Sequence, residues 1–430
     1  MKYYIITFGC QMNESDSERI AAVLEKIGYP KAQKIDGTDL IVVNMCSVRQ
    51  SAVDRIFGLC QKFAKLKSQN SKLKTILTGC ILKEDRKKFA KKFDLILDIK
   101  DLPNWPKLEK LKTQNAKRKT ISRFKNYLVI KPKRSNNFSA FVPISNGCNN
   151  FCSYCVVPYV RGPLVCRDYK EILREIKDAI EKGSKEIWLL GQNVNRYRSK
   201  SKTINFAKLL KMINDIPGNF WLRFTSPHPS DFSNELIETM AKCEKVTPYL
   251  NLPVQSGDNK VLKRMSRPYT VEQYKNLVKK IREKIPGICL STDVIVGFPG
   301  ETKKQFENTV KLFKQIKFDM AYIAKYSPRN GTMAAKMKDN VSHQEKEKRY
   351  NLLTESLKRT ALEKNKKYIG KIIKVLATEK KNDFLIGKSF HYKTVKFKGL
   401  KNLIGRFVKV KIIEADFFDL KGKLSQPTVC

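Results

Sequence analysis

The chain has 430 residues, 41% of them apolar, and carries 86 lysines and arginines against 41 aspartates and glutamates. That length predicts two or three domains with real cores. No run of about 18 apolar residues occurs, so we expect no membrane-spanning helix. Eleven cysteines without a secretion signal indicate reduced thiols or metal ligands in a cytoplasmic protein. The net charge of +45 favours a polyanion such as RNA as partner, although a lysine-rich composition without a specific partner has the same effect.

The first hundred residues alternate short apolar strands with helical segments. Strands are predicted at 3–8, 40–44, 75–78 and 95–98, with helices such as 15–27 and 51–67 between them. This alternation predicts a parallel sheet with helices on its faces.

Three cysteines, Cys10, Cys46 and Cys80, follow the first three of these strands, and we call them the sheet-edge triad. In a parallel sheet they would lie at the same carboxyl edge, where such folds place ligands. Three converging thiolates could hold an iron-sulfur cluster with one open iron. The alternative is that each is a small buried apolar residue, as free cysteines often are.

Residues 102–139 have the composition of a linker. Pro103, Pro106 and Pro132 interrupt a stretch rich in lysine, arginine and asparagine. Its basic run at 117–119 is interpreted as solvated surface, with an RNA contact as the alternative.

Residues 140–335 again alternate strands and helices. Six strands are predicted at 141–145, 186–190, 221–225, 248–252, 289–296 and 320–326. Six such units predict a partial or full TIM-type barrel, with its chemistry at the carboxyl ends of the strands.

The first of these strands leads into Cys148, Cys152 and Cys155, which we call the loop triad. A structural zinc site wants four protein ligands, whereas three thiolates suit a 4Fe-4S cluster with one open iron. The CxxxCxxC spacing, with Tyr154 before the last cysteine, resembles the signature of the radical S-adenosylmethionine (SAM) superfamily. Unrelated loop cysteines or a zinc knuckle are the alternatives.

The C-terminal region has a different residue pattern from the two regions before it. Ser342 and Glu345 have the spacing of a capping box for a helix running to about residue 367. Beyond it, β-rich runs at 372–377, 394–397 and 405–413 predict a small antiparallel β-barrel. Such barrels often bind single-stranded or looped RNA, but aromatic residues can equally form the barrel's own core. The aromatic residues concerned are Phe384, Phe390, Tyr392 and Phe397.

Motifs along the whole chain resemble those of the radical-SAM methylthiotransferases, most closely the MiaB type. They are GCQMN at 9–13, CSVR at 46–49, GC at 79–80, CNNFCSYCVVP at 148–158 with RG at 161–162, LLGQNVN at 189–195, LPVQSG at 252–257 and GFPGET at 297–302. The resemblance implies a methylthiotransferase N-terminal domain at 1–118, a radical-SAM core at 134–364 and an RNA-binding TRAM domain at 367–430.

The resemblance also implies an activity. The loop triad would hold the 4Fe-4S cluster that binds SAM and cleaves it to a radical, and the sheet-edge triad an auxiliary 4Fe-4S cluster that carries the sulfur and methyl group. A second SAM would donate the methyl, giving a methylthio group at C2 of N(6)-dimethylallyladenosine at position 37 of tRNA. Candidates for the SAM site are Tyr154, Gly191, Gln192, Ile295 and Gly297.

The partners implied are the tRNA anticodon stem-loop and a reductant such as flavodoxin or ferredoxin, with the chain itself a monomer. Three positions depart from the family pattern: Met45 for threonine, Cys166 for serine and Asn251 for histidine. Alternative substrates are threonylcarbamoyladenosine in tRNA or an aspartate of a ribosomal protein. A non-enzymatic iron-sulfur RNA-binding protein is the third alternative. Core positions are expected for Cys60, Cys243 and Cys289, and no role is assigned to Cys430.

Overall fold

The computed structural model describes residues 1–48, 50–105 and 127–425. Arg49, Pro106, the basic run at 117–119 and Cys430 lie outside the described residues. Within these ranges, no helix is both long and apolar enough to cross a bilayer.

The N-terminal domain is a four-stranded parallel sheet with strand order β1-β2-β3-β4. Both β2 and β3 extend two residues beyond the predicted strands, so Cys46 and Cys80 end these strands instead of following them. Cys46 pairs directly with Cys80 across the ladder. The elements are β1 (Tyr3–Thr7), α1 (Gln11–Lys26), β2 (Leu40–Cys46), α2 (Gln50–Gln69), β3 (Lys74–Cys80), α3 (Lys83–Phe89) and β4 (Leu95–Ile96).

The central domain has six parallel βα strands, all at the predicted places, in two three-stranded sheets ordered β5-β8-β9 and β10-β11-β12. A bridge between Leu222 and Val246 links the sheets into a partial barrel. Its elements are β5 (Ser139–Pro143), β6 (Ser145–Asn146), α4 (Val157–Arg161), β7 (Val165–Cys166), α5 (Tyr169–Glu181), β8 (Glu186–Leu190), α6 (Phe206–Asn214), β9 (Trp221–Phe224), α7 (Asn234–Lys242), β10 (Tyr249–Asn251), α8 (Asn259–Arg264), α9 (Val271–Lys284), β11 (Cys289–Val296), α10 (Lys303–Ile316) and β12 (Met320–Lys325).

The two faces of the barrel strands are covered differently. Apolar faces of α5 to α10 pack on side chains such as Ile187 and Leu222. Trp188 and Tyr249 belong instead to a core shared with the N-terminal domain. Helix α1 lies on β5, where the Ser15 hydroxyl donates to the Phe141 carbonyl at 3.1 Å. The N-terminal domain therefore covers the open side of the barrel.

The described ends of the predicted linker are not solvated. Leu102, Trp105, Tyr127 and Leu128 are buried in the core that joins the N-terminal domain to the barrel. The linker therefore stays a prediction, and its described end residues are packed into this shared core instead of being solvated.

Helix α11 (His343–Lys366) begins at the predicted cap. The Ser342 hydroxyl accepts from the Glu345 backbone N–H at 3.1 Å. The Glu345 carboxylate accepts from Arg349 at 2.8 Å. The serine half of the predicted capping box is therefore present, whereas the Glu345 carboxylate pairs with Arg349.

The C-terminal domain is a closed five-stranded barrel, as predicted. Four strand pairs are antiparallel, and the β15–β17 pair that completes the ring is parallel. Its strands are β13 (Ile372–Lys381), β14 (Phe384–Ser389), β15 (Thr394–Lys398), β16 (Phe407–Ala415) and β17 (Asp419–Leu424).

The loop between β14 and β15, residues 390–393, docks this barrel on the central domain. Tyr392 lies 4.4 Å from Tyr249 between ring centroids, and Phe390 lies 5.6 Å from Trp221. Phe397 is fully buried in the small barrel's own core. Of the four aromatic residues considered for RNA, Phe384 is exposed, Phe390 and Tyr392 are half-buried at the docking interface, and Phe397 is buried.

Candidate functional site

The loop triad lies at the carboxyl end of β5, where a tight backbone approach shapes the loop. Gly147 has φ +85°, and a Cβ there would stand 2.1 Å from the Pro163 carbonyl oxygen, so only glycine fits. The next N–H, of Cys148, donates to the Gly162 carbonyl at 3.1 Å. Backbone bonds therefore fold the loop back on the segment that follows α4.

The three loop thiols lie near one another in a partly enclosed setting. Cys148 is buried, whereas Cys152 and Cys155 are half-buried. Burial raises the pKa of Cys148 and raises that of Cys155 to about 12, and the neighbouring sulfurs add to both shifts. Crowding thiols in this way favours metal binding, because a metal offsets the charge of the thiolates that form.

A buried arginine lies against the loop triad. Arg267 donates from Nη1 to the Cys152 sulfur at 3.5 Å and from Nη2 to the Pro253 carbonyl at 3.1 Å. Its Nε donates to the Tyr269 hydroxyl at 2.8 Å. The positive charge is therefore held next to one sulfur by bonds to the barrel mouth.

The sheet-edge triad begins at Cys10, which is exposed and caps α1. The Asn13 side-chain oxygen accepts from the Cys10 backbone N–H at 3.4 Å. Its amide nitrogen donates to Asn44 Oδ1 at 3.0 Å and to the Met45 carbonyl at 3.1 Å. The buried Asn13 thus ties Cys10 to the end of β2, where Cys46 lies.

Cys46 and Cys80 form a buried pair at the ends of β2 and β3. Gly79, with φ +104°, allows the strands to approach, since a Cβ there would stand 2.4 Å from the Met45 carbonyl oxygen. A side-chain hydrogen bond between the thiols lowers the pKa of Cys46 and raises that of Cys80, because one proton is shared between two buried sulfurs. Burial raises the pKa of Cys10, and the nearby Cys80 adds to this rise. That the three thiols hold one cluster stays a prediction.

The two triads meet through Arg161, the last residue of α4. Its Nε donates to the Cys80 sulfur at 2.9 Å, and its Nη2 pairs with Asp16 at 2.7 Å. Its Nη1 donates to the Tyr127 hydroxyl at 2.9 Å. Helix α4 begins two residues after Cys155, so one short segment connects a loop-triad cysteine to a sheet-edge cysteine.

Sequence reasoning missed how these polar residues act. Arg161 was noted only as part of a motif, and Asp16, Tyr127 and Arg267 were not singled out. One usable signal was the polar start of α1, where Asn13 and Asp16 are one turn apart. Helical side chains three positions apart share a face, so such a pair can point inward together.

The candidates for the SAM site occupy three different settings. Gln192 Oε1 accepts from the Gly147 N–H at 2.6 Å, directly beside the loop triad. Gly191 lies under Ser145, whose hydroxyl would be 2.7 Å from an added Cβ. Tyr154 and Ile295 pack against one small apolar cluster near the loop. Gly297 packs on Lys346 of α11, and a Cβ added at Gly297 would stand 2.3 Å from Lys346 Cγ. The Gly297 N–H donates to the Glu301 carboxylate at 2.7 Å.

Three buried polar atoms at the barrel mouth have no hydrogen-bond partner among the residues that the structure describes. They are the Ser145 hydroxyl, Asn193 Oδ1 and His228 Nε2, which follow β5, β8 and β9 respectively. Burial, with the positive charges of Arg267 and Arg196, lowers the pKa of His228 to about 3, so its ring is neutral. Unpaired buried polar groups are costly and rare, which fits a mouth that takes a polar ligand.

The three departures from the family pattern have ordinary surroundings. Met45 is fully buried in the core under α2, away from the sulfurs. Cys166 pairs with Ser145 in the β6–β7 ladder and is half-buried. Asn251 donates to Asp293 at 2.9 Å and accepts from the Ser291 hydroxyl at 2.8 Å.

The remaining described cysteines follow the expectation of core positions. Cys243 is buried under the outer helices, and Cys289 is buried on the inner face of the barrel. Cys60 is half-buried against the N-terminal core.

The donor sets fit iron-sulfur clusters better than a single metal ion. In the described residues, no three histidine, cysteine, aspartate or glutamate side chains are grouped closely enough to chelate one ion. A 4Fe-4S cluster needs no such group, because each cysteine binds a different iron and the sulfurs can stand farther apart. Soft thiolate donors suit iron-sulfur clusters as well as zinc or Cu(I), and a set of three thiolates leaves one iron of a 4Fe-4S cluster open.

Comparison with known proteins finds three family matches along the chain. Residues 142–313 match the Radical SAM superfamily, residues 2–98 match the Uncharacterized protein family UPF0004, and residues 366–425 match the TRAM domain. Among solved structures, the methyltransferase TsrM from Kitasatospora setae aligns with a TM-score of 0.56 at 15% identity, over 75% of this chain and 72% of that one. The cobalamin-dependent radical enzyme OxsB aligns with a TM-score of 0.52 at 12% identity, over 83% and 56%. These likenesses concern the fold alone.

Curated relatives are similar over nearly the whole length. The tRNA-2-methylthio-N(6)-dimethylallyladenosine synthase of Clostridium botulinum is 43% identical over 98% of this chain and 96% of its own. The enzyme of the same name from Dictyoglomus thermophilum is 40% identical, over 98% of both chains. At this identity and coverage, the chain belongs to the family of radical-SAM tRNA-2-methylthio-N(6)-dimethylallyladenosine synthases.

Proposed function

We propose that this protein adds a methylthio group to C2 of N(6)-dimethylallyladenosine at position 37 of tRNA. The observation that carries the proposal is the pair of cysteine triads joined through Arg161 in a chain of this family. Two triads linked by one short helix suit a reaction that needs a radical source and a sulfur source at one substrate. The proposal extends over three domains at 1–118, 134–364 and 367–430.

As a member of the radical SAM superfamily, the chain uses a 4Fe-4S cluster and SAM. We assign that cluster to the loop triad and a second 4Fe-4S cluster to the sheet-edge triad. When bound, the first supplies reductive cleavage of SAM to a 5′-deoxyadenosyl radical, and the second supplies the transferred sulfur. Radical chemistry is required because an unactivated C2–H resists polar attack.

The chain's own residues would bind and orient the reactants. Gln192 braces the loop before Cys148, while Tyr154 and Ile295 form an apolar wall beside it. Gly191 has no side chain, and this leaves space at the barrel mouth next to Ser145. We propose that the unpaired polar atoms at the mouth, together with these residues, bind SAM.

Gly297 would act less directly. Its N–H is bonded to the Glu301 carboxylate, which pairs with Arg349 at 2.8 Å. Contact with Lys346 leaves no room for a side chain. We propose that Gly297 shapes the strand end behind the SAM site.

The wider setting follows from the substrate. The basic chain would bind the phosphates of the tRNA anticodon stem-loop, with the C-terminal barrel extending the surface. We propose a cytoplasmic monomer that receives electrons from flavodoxin or ferredoxin. The exposed Phe384 is the remaining stacking candidate of the original four aromatic residues.

The test is anaerobic reconstitution with iron and sulfide, followed by reaction with SAM, dithionite and tRNA carrying dimethylallyladenosine. Nucleoside mass spectrometry should detect the 2-methylthio product, together with 5′-deoxyadenosine. Matched reactions contain tRNA with unmodified adenosine or with threonylcarbamoyladenosine at the same position. A product on the latter alone, or SAM cleavage without any tRNA product, would contradict the proposed substrate.

A further inference from the structure

The guanidinium of Arg161 is placed to act on the redox state of the sheet-edge triad. Its side chain is 2% exposed, and its Nε points at the Cys80 sulfur from 2.9 Å. Arginine remains protonated in proteins, so this contact combines a hydrogen bond with a full positive charge. Reduction of an iron-sulfur cluster adds negative charge, and both features favour the reduced form.

The charge of Arg161 is balanced by one carboxylate. Asp16 is fully buried, accepts from Arg161 Nη2 at 2.7 Å and accepts from the Tyr127 hydroxyl at 2.9 Å. Tyr127 in turn accepts from Arg161 Nη1. The sulfur therefore faces a compensated pair whose positive member donates to it directly, whereas the carboxylate is bonded to a different nitrogen of the guanidinium.

We propose that Arg161 is a positioning residue that raises the reduction potential of the cluster bound by the sheet-edge triad, with Asp16 limiting that rise. This inference rests on the proposed function, in which the triad holds a 4Fe-4S cluster. Helix α4 of the central domain would thus control the reduction potential of a cluster in the N-terminal domain. Because α4 starts just after Cys155, displacement of the loop triad would also move Arg161 relative to Cys80.

The experiment isolates the sheet-edge cluster. In a protein with all three loop-triad cysteines replaced by alanine, anaerobic reconstitution and iron analysis first establish whether that cluster forms. Its absence there overturns the proposed function. Where it forms, titration with dithionite followed by electron paramagnetic resonance measures the one-electron midpoint potential.

Two substitutions should shift the potential in opposite directions. Arg161→Met removes the donor and the charge. We therefore expect the equilibrium constant for reduction of the cluster to fall at least tenfold, which lowers the midpoint potential by 59 mV for one electron. Asp16→Asn leaves the guanidinium uncompensated, so we expect a rise. Arg161→Lys keeps the charge without the planar donor, so its midpoint potential should lie between those of wild type and Arg161→Met. If Arg161→Met does not retain iron, Arg161→Lys and Asp16→Asn provide the opposite shifts.

A matched control separates this effect from the general loss of a buried ion pair. Arg223 and Glu186 are similarly buried and also 2.7 Å apart, but Glu186 begins β8 and Arg223 lies in β9, where it donates to the Ser389 and Phe390 carbonyls of the small barrel. Glu186→Gln should leave the potential unchanged. A purely structural role for Arg161 predicts shifts of the same sign, or none, in the Arg161 and Asp16 variants. Either outcome in iron-loaded protein overturns the inference.

Discussion

Asp319 anchors the C-terminal barrel to the central domain, which makes Asp319→Asn a direct test of docking. The carboxylate is 2.7 Å from Lys364 of α11 and 3.0 Å from Lys393 of the docking loop. Both lysines keep the pKa of Asp319 below its ordinary value although burial opposes this. The substitution would leave two ammonium groups facing an uncharged amide. A point variant is preferable to truncation, since truncation would also expose Trp188 and Tyr249.

The expected cost follows from the exposure of the partners. Removing one member of a buried ion pair destabilises by about 3–5 kcal/mol. Lys393 is only 8% exposed, whereas Lys364 is 22% exposed and can be solvated in part, so we expect about 3 kcal/mol. Each 1.36 kcal/mol is tenfold, so undocking should become about a hundredfold more frequent.

The reporter is Cys289, which is buried beneath this interface and is 5% exposed. Iodoacetamide labelling of the cluster-free protein, read by peptide mass spectrometry, should be about a hundredfold faster at Cys289 in the variant. Cys243, buried under the outer helices, provides an internal reference whose rate should not change.

Two further variants test the reasoning. Glu414→Gln breaks an exposed pair with Lys421 in the same small barrel and should have almost no effect. Adding Lys393→Met to Asp319→Asn should restore slow labelling in part, because it removes the uncompensated charge. Wild-type labelling of Cys289 in Asp319→Asn would refute the assigned role of Asp319.

Four other outcomes are expected. The reconstituted protein should contain about eight irons and eight sulfides per chain, and replacing the loop triad with alanine should leave about half; full iron content in that variant would refute the assignment. Replacing the sheet-edge triad should abolish methylthiolation while 5′-deoxyadenosine formation continues, and its loss with an intact loop-triad cluster would contradict separate roles. Because burial lowers the pKa of His228 to about 3, the folded state loses stability as pH falls below the ordinary value near 6.5. Wild type should therefore lose about 1.4 kcal/mol more than His228→Gln between pH 7.5 and 5.5, measured by urea unfolding, and equal losses would refute this. The affinity for tRNA should fall with salt at a log–log slope of roughly −0.7 per phosphate contact on single-stranded segments, and a flat response would exclude a phosphate-dominated interface.

Local patterns in the sequence were enough to predict the elements that carry the cysteines. Alternating strands and helices predicted the parallel strands of the N-terminal and central domains, and β8 and β11 have the predicted bounds. The strand-end positions of Cys10, Cys46 and Cys80 also predicted that these residues meet, because parallel strands share one carboxyl edge. The loop triad could be recognised from the spacing of its cysteines within one short segment of chain.

Contacts between distant segments were decided only by the tertiary structure. Arg161 and Cys80 are 81 positions apart, and no periodicity relates α4 to β3. Phe390 and Tyr392 look like stacking residues in sequence, but their barrel docks on Trp221 and Tyr249 and leaves them half-buried. Burial and charge pairing depend on which surfaces meet, and that is a property of the assembled domains, whereas strand and helix patterns arise within each segment.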